Sequence, residues 1–401
     1  MKIRRIKLEN VRSLGAELTI QFDQAELHTV LIGKNGTCKT TILRAIAVGL
    51  ADSKDASGLL AEPNGRLVAE GKKTATIEID VTDKDNRRIP ISSKTIIGLD
   101  DGQDVLIEKE PANDTPGDLL VCGYGVGRQT EGAPSVRPYR IIDSVYTMFV
   151  YDAALVGTEL TLRRLRDYLG TQQFPRTMAA IKRAIGLDES DEIDLPKGGG
   201  VNVSGPSIGR SIPIEGWADG YRKTLSWILD LYAWAMRAKR VTKTGGIRGV
   251  LLVDEIEQHL HPSMQTTLLA RLRFLFPELQ VIATTHSPLV ALGADPRSVV
   301  VLKREGKRVV RESQVPDFTM YSVEDMLVDP DIFDSAVYRP ETNAMLTRYR
   351  ELAAKPTARR SAAEKKELKS IAEHLSALQI PEVHESPTVK KLNQLLKKHN
   401  L

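Results

Sequence analysis

The stretch Gly33-Lys-Asn-Gly-Thr-Cys-Lys-Thr-Thr41 decides how the rest of the chain is read. It matches the phosphate-loop pattern GxxxxGK[ST] at every fixed position except the second glycine, where Cys38 stands. Such a loop aims successive backbone N–H groups at phosphate oxygens and hands the phosphates to a helix N-terminus. Gly33, Asn35, Gly36, Thr37, Cys38 and Thr41 are therefore candidates for the cradle. Lys39 is placed to bridge the terminal phosphates, and the Thr40 hydroxyl to ligate Mg²⁺. A side chain where glycine supplies unusual φ/ψ costs about 1–2 kcal/mol. Alone, the altered loop leaves open whether the chain hydrolyses a nucleotide, only binds one, or does neither.

The flanking sequence supplies the required setting. His28–Ile32 is a short apolar run that reads as a strand, and Ile42, Leu43, Ile46 and Leu50 share one helical face after the loop. Before it, Ile3, Ile6 and Leu8, then Leu18, Ile20 and Phe22, alternate with polar residues around a turn near Gly15, which predicts an antiparallel hairpin. Residues 73–97 alternate again around Asp83–Asn86, and 145–187 read as helical. A helix is expected over Leu225–Ala238, buried strands at 249–255 and Leu279–Thr284, and a hairpin over Val299–Val310.

Three further stretches carry chemistry. In VLLVDEIEQHLHP, four apolar residues deliver Asp254 and Glu255 to the C-terminal end of a central strand, where open α/β sheets bind ligands. Asp254 suits the Mg²⁺ shell and Glu255 the orientation or deprotonation of water. In ATTHSP, His286 follows another apolar strand, positioned to meet a γ-phosphate. In EGWADGYRKTLS, Gly220 opens a helix whose N-terminus forms a second phosphate-seeking nest. His259 and His261 form an HxH pair without a Cys cluster or third His nearby, which favours loop packing or a subunit contact over zinc.

The order is phosphate loop, glycine at a helix start, apolar-Asp-Glu, strand-end histidine. It resembles the ABC-type ATPases, and Lys7–Ser13, the Asp254–Pro262 box and Thr284–Pro288 resemble their RecF, SMC and OLD-like branch. The resemblance covers roughly residues 1–310. It implies an α/β fold: an ABC-type head with mixed parallel and antiparallel sheets and a short helical insert at about 145–190. A helical, basic region follows at 311–401. It implies ATP and Mg²⁺ as cofactors, with ATP sandwiched in a homodimer or higher oligomer. Lys39, Thr40, Asp254, Glu255 and His286 would then act in one subunit and Gly220 from the other. Arg12 matches the family's basic residue after the first strand, and Gln129 its Mg²⁺-sensing glutamine. Ala218 departs from the family, whose signature places a serine hydroxyl there.

The insert is too short for SMC arms, and residues 320–401 lack the acidic clusters of an OLD nuclease domain. Small members of the branch resemble the ATPase halves of antiphage systems such as Septu, in which a separate HNH-type nuclease is the effector. The resemblance thus implies an ATP-driven switch acting with DNA or RNA, with a partner effector, or with both. The competing readings are a RecF-like repair or loading ATPase, a transporter motor, and a scaffold in which nucleotide is bound but never turned over.

Composition is consistent with a globular protein: 41% of residues are apolar and 27% charged. No segment approaches the ~18 consecutive apolar residues of a membrane span, no secretory signal is evident, and the two cysteines suit a reducing compartment. A cytoplasmic, membrane-independent protein is expected. Residues 341–401 hold twelve Lys and Arg against seven Asp and Glu, a net +5, so the other 340 residues of this +4 chain are close to neutral.

Overall fold

A computed structural model describes residues 2–378 apart from 24, 83–90, 112–118, 129–130, 134–137, 207, 313–317, 319–320, 330–331, 334, 336 and 357–358. The Asp83–Asn86 turn expected from sequence lies outside the described residues. Two compact units divide the chain, one over Met1–Met326 with Asp331–Phe333, the other over Leu327–Pro330 with Asp334–Leu401.

Two sheets organise the larger unit. The antiparallel one has the strand order Glu17–Gln21, Lys2–Glu9, Thr74–Thr82, Ile91–Asp100, Gln103–Glu110. Its first strand departs from strict alternation, because Ile3 and Ile6 are both buried although three residues apart. A register shift between Ile3 and Arg5 reconciles the two. The six-stranded sheet has the order Arg308–Arg311, Val299–Glu305, His28–Ile32, Leu279–Thr284, Gly249–Val253, Val121–Tyr124, parallel throughout except for the first strand.

The parallel strands are apolar without interruption because both faces are covered. Val250, Leu252 and Ile282 face one core, which contains Ile42, Leu43 and Ile46 of the loop helix Lys39–Leu50 together with Ile77 and Ile79 of the antiparallel sheet. Leu251, Val253, Val281 and Ala283 face the other, built from Leu225, Ile228 and Tyr232 of the helix Asp219–Arg237 and from Leu162, Leu165 and Ile181. Those last three lie on Thr158–Ile185, a helical stretch interrupted at Gly170 (φ 70°). The loop helix is thus clamped between the two sheets, which fixes the phosphate loop at the C-terminal edge of the parallel strands.

The segment at 191–216 forms a small antiparallel sheet, Glu192–Asp194, Asn202–Gly205 and Gly209–Pro213. In the smaller unit, helices Pro340–Ala354 and Ala362–Ala377 meet through Leu346 and Leu375, with Arg348 bonding Glu367 through two nitrogens at 2.8 and 3.0 Å. Among the described residues, no helix is long and apolar enough to cross a membrane.

Candidate functional site

The loop runs from Gly33 (φ 147°) through Gly36 (φ 79°) into the helix that begins at Lys39. Cys38 occupies the cap position with φ 61° and ψ 23°, the left-handed conformation, and makes no side-chain capping bond. A β-carbon is thereby held in the conformation that glycine adopts most readily. Thr37 closes the loop on itself, its Oγ1 donating to the Lys34 carbonyl at 2.8 Å. Lys39 folds back over the cradle, Nζ donating to the carbonyls of Gly33 at 2.8 Å and Lys34 at 3.1 Å. Its pKa falls to about 8 through burial, against the pull of Asp254, Glu255 and Glu257. These are contacts that an incoming phosphate can replace, regaining a better partner for a half-desolvated ammonium.

The acidic strand meets the loop helix directly. Thr40 Oγ1 lies 2.9 and 2.7 Å from the two carboxylate oxygens of Asp254. Thr284 Oγ1 donates to the same carboxylate at 2.6 Å and accepts from the Glu255 N–H at 2.8 Å. A hydroxyl and a carboxylate from two separate elements therefore converge on one point. Hard oxygen donors of this kind suit Mg²⁺, which is typically held by one or two protein groups plus phosphates and water. Among the described residues, no group of three or more His, Cys, Asp or Glu side chains could hold a metal.

Glu255 follows with φ 46°, a rare conformation for a residue with a side chain. Burial, with Asp254 and Glu257 close by, raises its pKa above the usual carboxylate range, while Arg128 and Lys39 oppose the shift. His286 is half-buried, and burial followed by the nearby Lys39 lowers its pKa, which favours the neutral imidazole. A neutral ring can accept or donate one hydrogen bond at a phosphate without adding charge.

Several groups at the site were not singled out by sequence reasoning. Glu257 accepts from Thr285 Oγ1 at 2.6 Å and from the His286 N–H at 2.8 Å, and so fixes the turn that carries the histidine. Its signal was the third carboxylate of the Asp-Glu-Ile-Glu run. Arg304, on the strand beside the loop strand, donates Nη2 to the Gly36 carbonyl at 2.7 Å. Arg128 reaches the backbone of the acidic pair at 2.6 and 2.7 Å.

Other expected residues stand apart from this cluster. Arg12 (φ 40°) is exposed and donates Nε to the Arg66 carbonyl at 2.8 Å. Gly220 lies in the first turn of Asp219–Arg237, where an added β-carbon would come within 2.5 Å of the His259 carbonyl. The start of that helix is thus seated on the turn after the acidic box, an approach only glycine permits. Ala218 caps the helix without a side-chain bond. His261 caps the short helix Pro262–Gln265, accepting from the Ser263 N–H at 3.3 Å. Gln129 lies outside the described residues.

Two family models match the chain: "AAA ATPase domain" over residues 1–111 and "AAA domain, putative AbiEii toxin, Type IV TA system" over 206–292. The first includes the phosphate loop and the second Gly220, the acidic pair and His286. With a phosphate loop at the edge of a parallel sheet, an antiparallel sheet beside it and an acidic strand end meeting the loop threonine, the chain resembles the ABC-like P-loop ATPases in fold and site.

It is similar in sequence to Septu proteins. It is 25% identical to the Septu protein PtuA of Bacillus mycoides (strain KBAB4) over 389 residues, 94% of this chain and 50% of that protein. To the Septu protein PtuA of Bacillus thuringiensis it is 32% identical over 99 residues, 22% of this chain and 25% of that one. The chain thus spans about half and a quarter of the length of these two relatives. A solved Smc head domain with an extended coiled coil, bound to the C-terminal domain of ScpA and derived from Pyrococcus furiosus, is 14% identical. That alignment has a TM-score of 0.48 and covers 78% of this chain and 96% of that one.

Proposed function

We propose that the chain binds MgATP at the Gly33–Thr41 loop and hydrolyses it slowly, as the ATPase component of a Septu-type antiphage system. The observation that carries this reading is the convergence of Thr40 on Asp254, at 2.9 and 2.7 Å. Lys39 would neutralise the terminal phosphates, and Mg²⁺ held by Thr40 and Asp254 would polarise them. Glu255 would orient or deprotonate the attacking water, and His286 would contact the γ-phosphate. The Gly220 helix start, where Ala218 and Asp219 are exposed, would close the site of a second copy. In this reading ATP governs pairing of the heads, and pairing governs a separate effector nuclease. Residues 341–401, with their excess of basic charge, are the segment offered to DNA, RNA or that effector.

The coupling of nucleotide to pairing is tested by sedimentation of the Glu255→Gln protein with and without MgATP. A nucleotide-dependent dimer that Lys39→Ala fails to form supports the reading. A sedimentation coefficient indifferent to nucleotide in both variants contradicts it.

The scaffold reading, in which ATP is bound but never turned over, is favoured by one feature, the left-handed backbone at Cys38. Strain at the loop is compatible with weak turnover as well as with none, so the two readings part on whether any phosphate is released.

A further inference from the structure

Arg128 ends a turn after the strand Val121–Tyr124 and is 3% exposed. Its Nη1 donates to the carbonyls of Gly125 at 2.8 Å and Asp254 at 2.6 Å, and Nη2 donates to the carbonyl of Glu255 at 2.7 Å. The turn that carries it is itself held tightly, since a β-carbon on Gly127 would lie 2.0 Å from the Tyr151 carbonyl. From the same strand the Tyr124 carbonyl accepts from the Asp254 N–H at 2.8 Å, and on the opposite side Thr284 Oγ1 accepts from the Glu255 N–H at 2.8 Å. The two carboxylate-bearing residues are therefore gripped by their backbones from both neighbouring strands, with Glu255 at φ 46°. A residue held in that region persists only where its surroundings over-determine it.

We propose that Arg128 is a positioning residue for hydrolysis, whose planar guanidinium locks the Asp254–Glu255 peptides so that the metal-side and water-side carboxylates diverge correctly. The proposal rests on the ATPase reading above. A guanidinium donates from several nitrogens in a fixed fork, so one side chain spans two consecutive carbonyls, which a lysine ammonium cannot do with the same geometry. Burial lowers the Arg128 pKa to about 10, with Asp254, Glu257 and Glu255 acting in the opposite direction. The guanidinium meets the acidic pair through its backbone carbonyls and stiffens it there.

The test compares wild type with Arg128→Lys, Arg128→Ala and Glu255→Gln. We expect Arg128→Lys to bind MgATP within about threefold of wild type while kcat falls on the order of 10- to 100-fold, as for groups that orient a reactive shell. Guanidinium added at low, non-denaturing concentration should restore part of the kcat lost in Arg128→Ala. Hydrogen exchange provides a readout that needs no turnover: the amides of Asp254, Glu255 and Ile256 should exchange faster in Arg128→Lys than in wild type. Unchanged kcat in Arg128→Lys overturns the proposal, and so does unchanged exchange of those three amides, whether or not the wild type hydrolyses ATP. Turnover that survives Glu255→Gln counts instead against the ATPase reading.

Discussion

Thr40 Oγ1 sits 2.7 Å from Asp254 Oδ2, although 214 residues separate the two in sequence. This contact ties the first turn of the loop helix to the end of the acidic strand. Asp254→Ala removes the shared acceptor, leaving the Thr40 and Thr284 hydroxyls without it. We predict that magnesium then no longer strengthens ATP binding, while magnesium-free ATP binds with comparable or higher affinity because a carboxylate no longer faces the phosphates. Calorimetric titration with and without Mg²⁺ checks this. A metal enhancement equal to wild type would show that the ion is held elsewhere.

Cys38 carries a testable strain. Its φ of 61° is costly for a side-chain-bearing residue and ordinary for glycine, whose greater chain entropy offsets part of the gain. Cys38→Gly should raise unfolding stability by about 0.5–1 kcal/mol and increase kcat. Denaturant melts and phosphate release measure the two effects. A destabilised Cys38→Gly, or one with unchanged turnover, would mean that the thiol packs well enough to compensate and does not restrain the loop.

The strands His28–Ile32, Gly249–Val253 and Leu279–Thr284, the N-terminal hairpin and the acidic pair were legible because their signals are local: an apolar run ending in Asp-Glu, alternation in the hairpin, a glycine loop before an amphipathic helix. Arg128 and Glu257 were not, because each acts on a backbone far away in sequence. Arg128 grips carbonyls 126 and 127 residues downstream, and no composition or periodicity announces such a bond. The edge strand Gln103–Glu110 was missed for another reason. Its outward residues include exposed Val105 and Ile107, so alternation between buried and polar positions is blurred there.

Glu257 predicts a separation of binding from turnover. Its carboxylate holds the Thr285 hydroxyl and the His286 N–H, so Glu257→Ala frees the histidine turn without touching the phosphate loop. Stability should drop by about 1–3 kcal/mol from the unpaired buried groups, and turnover should fall at least tenfold with ATP affinity nearly retained. Equilibrium nucleotide binding beside single-turnover kinetics tests this. Parallel losses in affinity and rate would place Glu257 in nucleotide binding itself.

His28 predicts acid sensitivity. Burial, aided by Arg273, lowers its pKa from 6.5 to about 4, so the folded protein holds the ring neutral. The unfolded chain takes up the proton first as pH falls. The stabilisation from His28 is therefore complete above about pH 6.5 and lost progressively as pH drops through 4, amounting to about 3 kcal/mol. His28→Phe should flatten that part of the stability profile. A profile unchanged by the substitution would assign the acid limb to other groups.

The central claim is that the altered loop still supports catalysis through Glu255. Steady-state phosphate release by wild type, Lys39→Ala and Glu255→Gln tests it most directly. The account predicts slow, magnesium-dependent release by wild type, no release by Lys39→Ala, and ATP bound without release by Glu255→Gln. Wild type that binds MgATP and releases no phosphate over many hours, or Glu255→Gln that releases it at the wild-type rate, would contradict it.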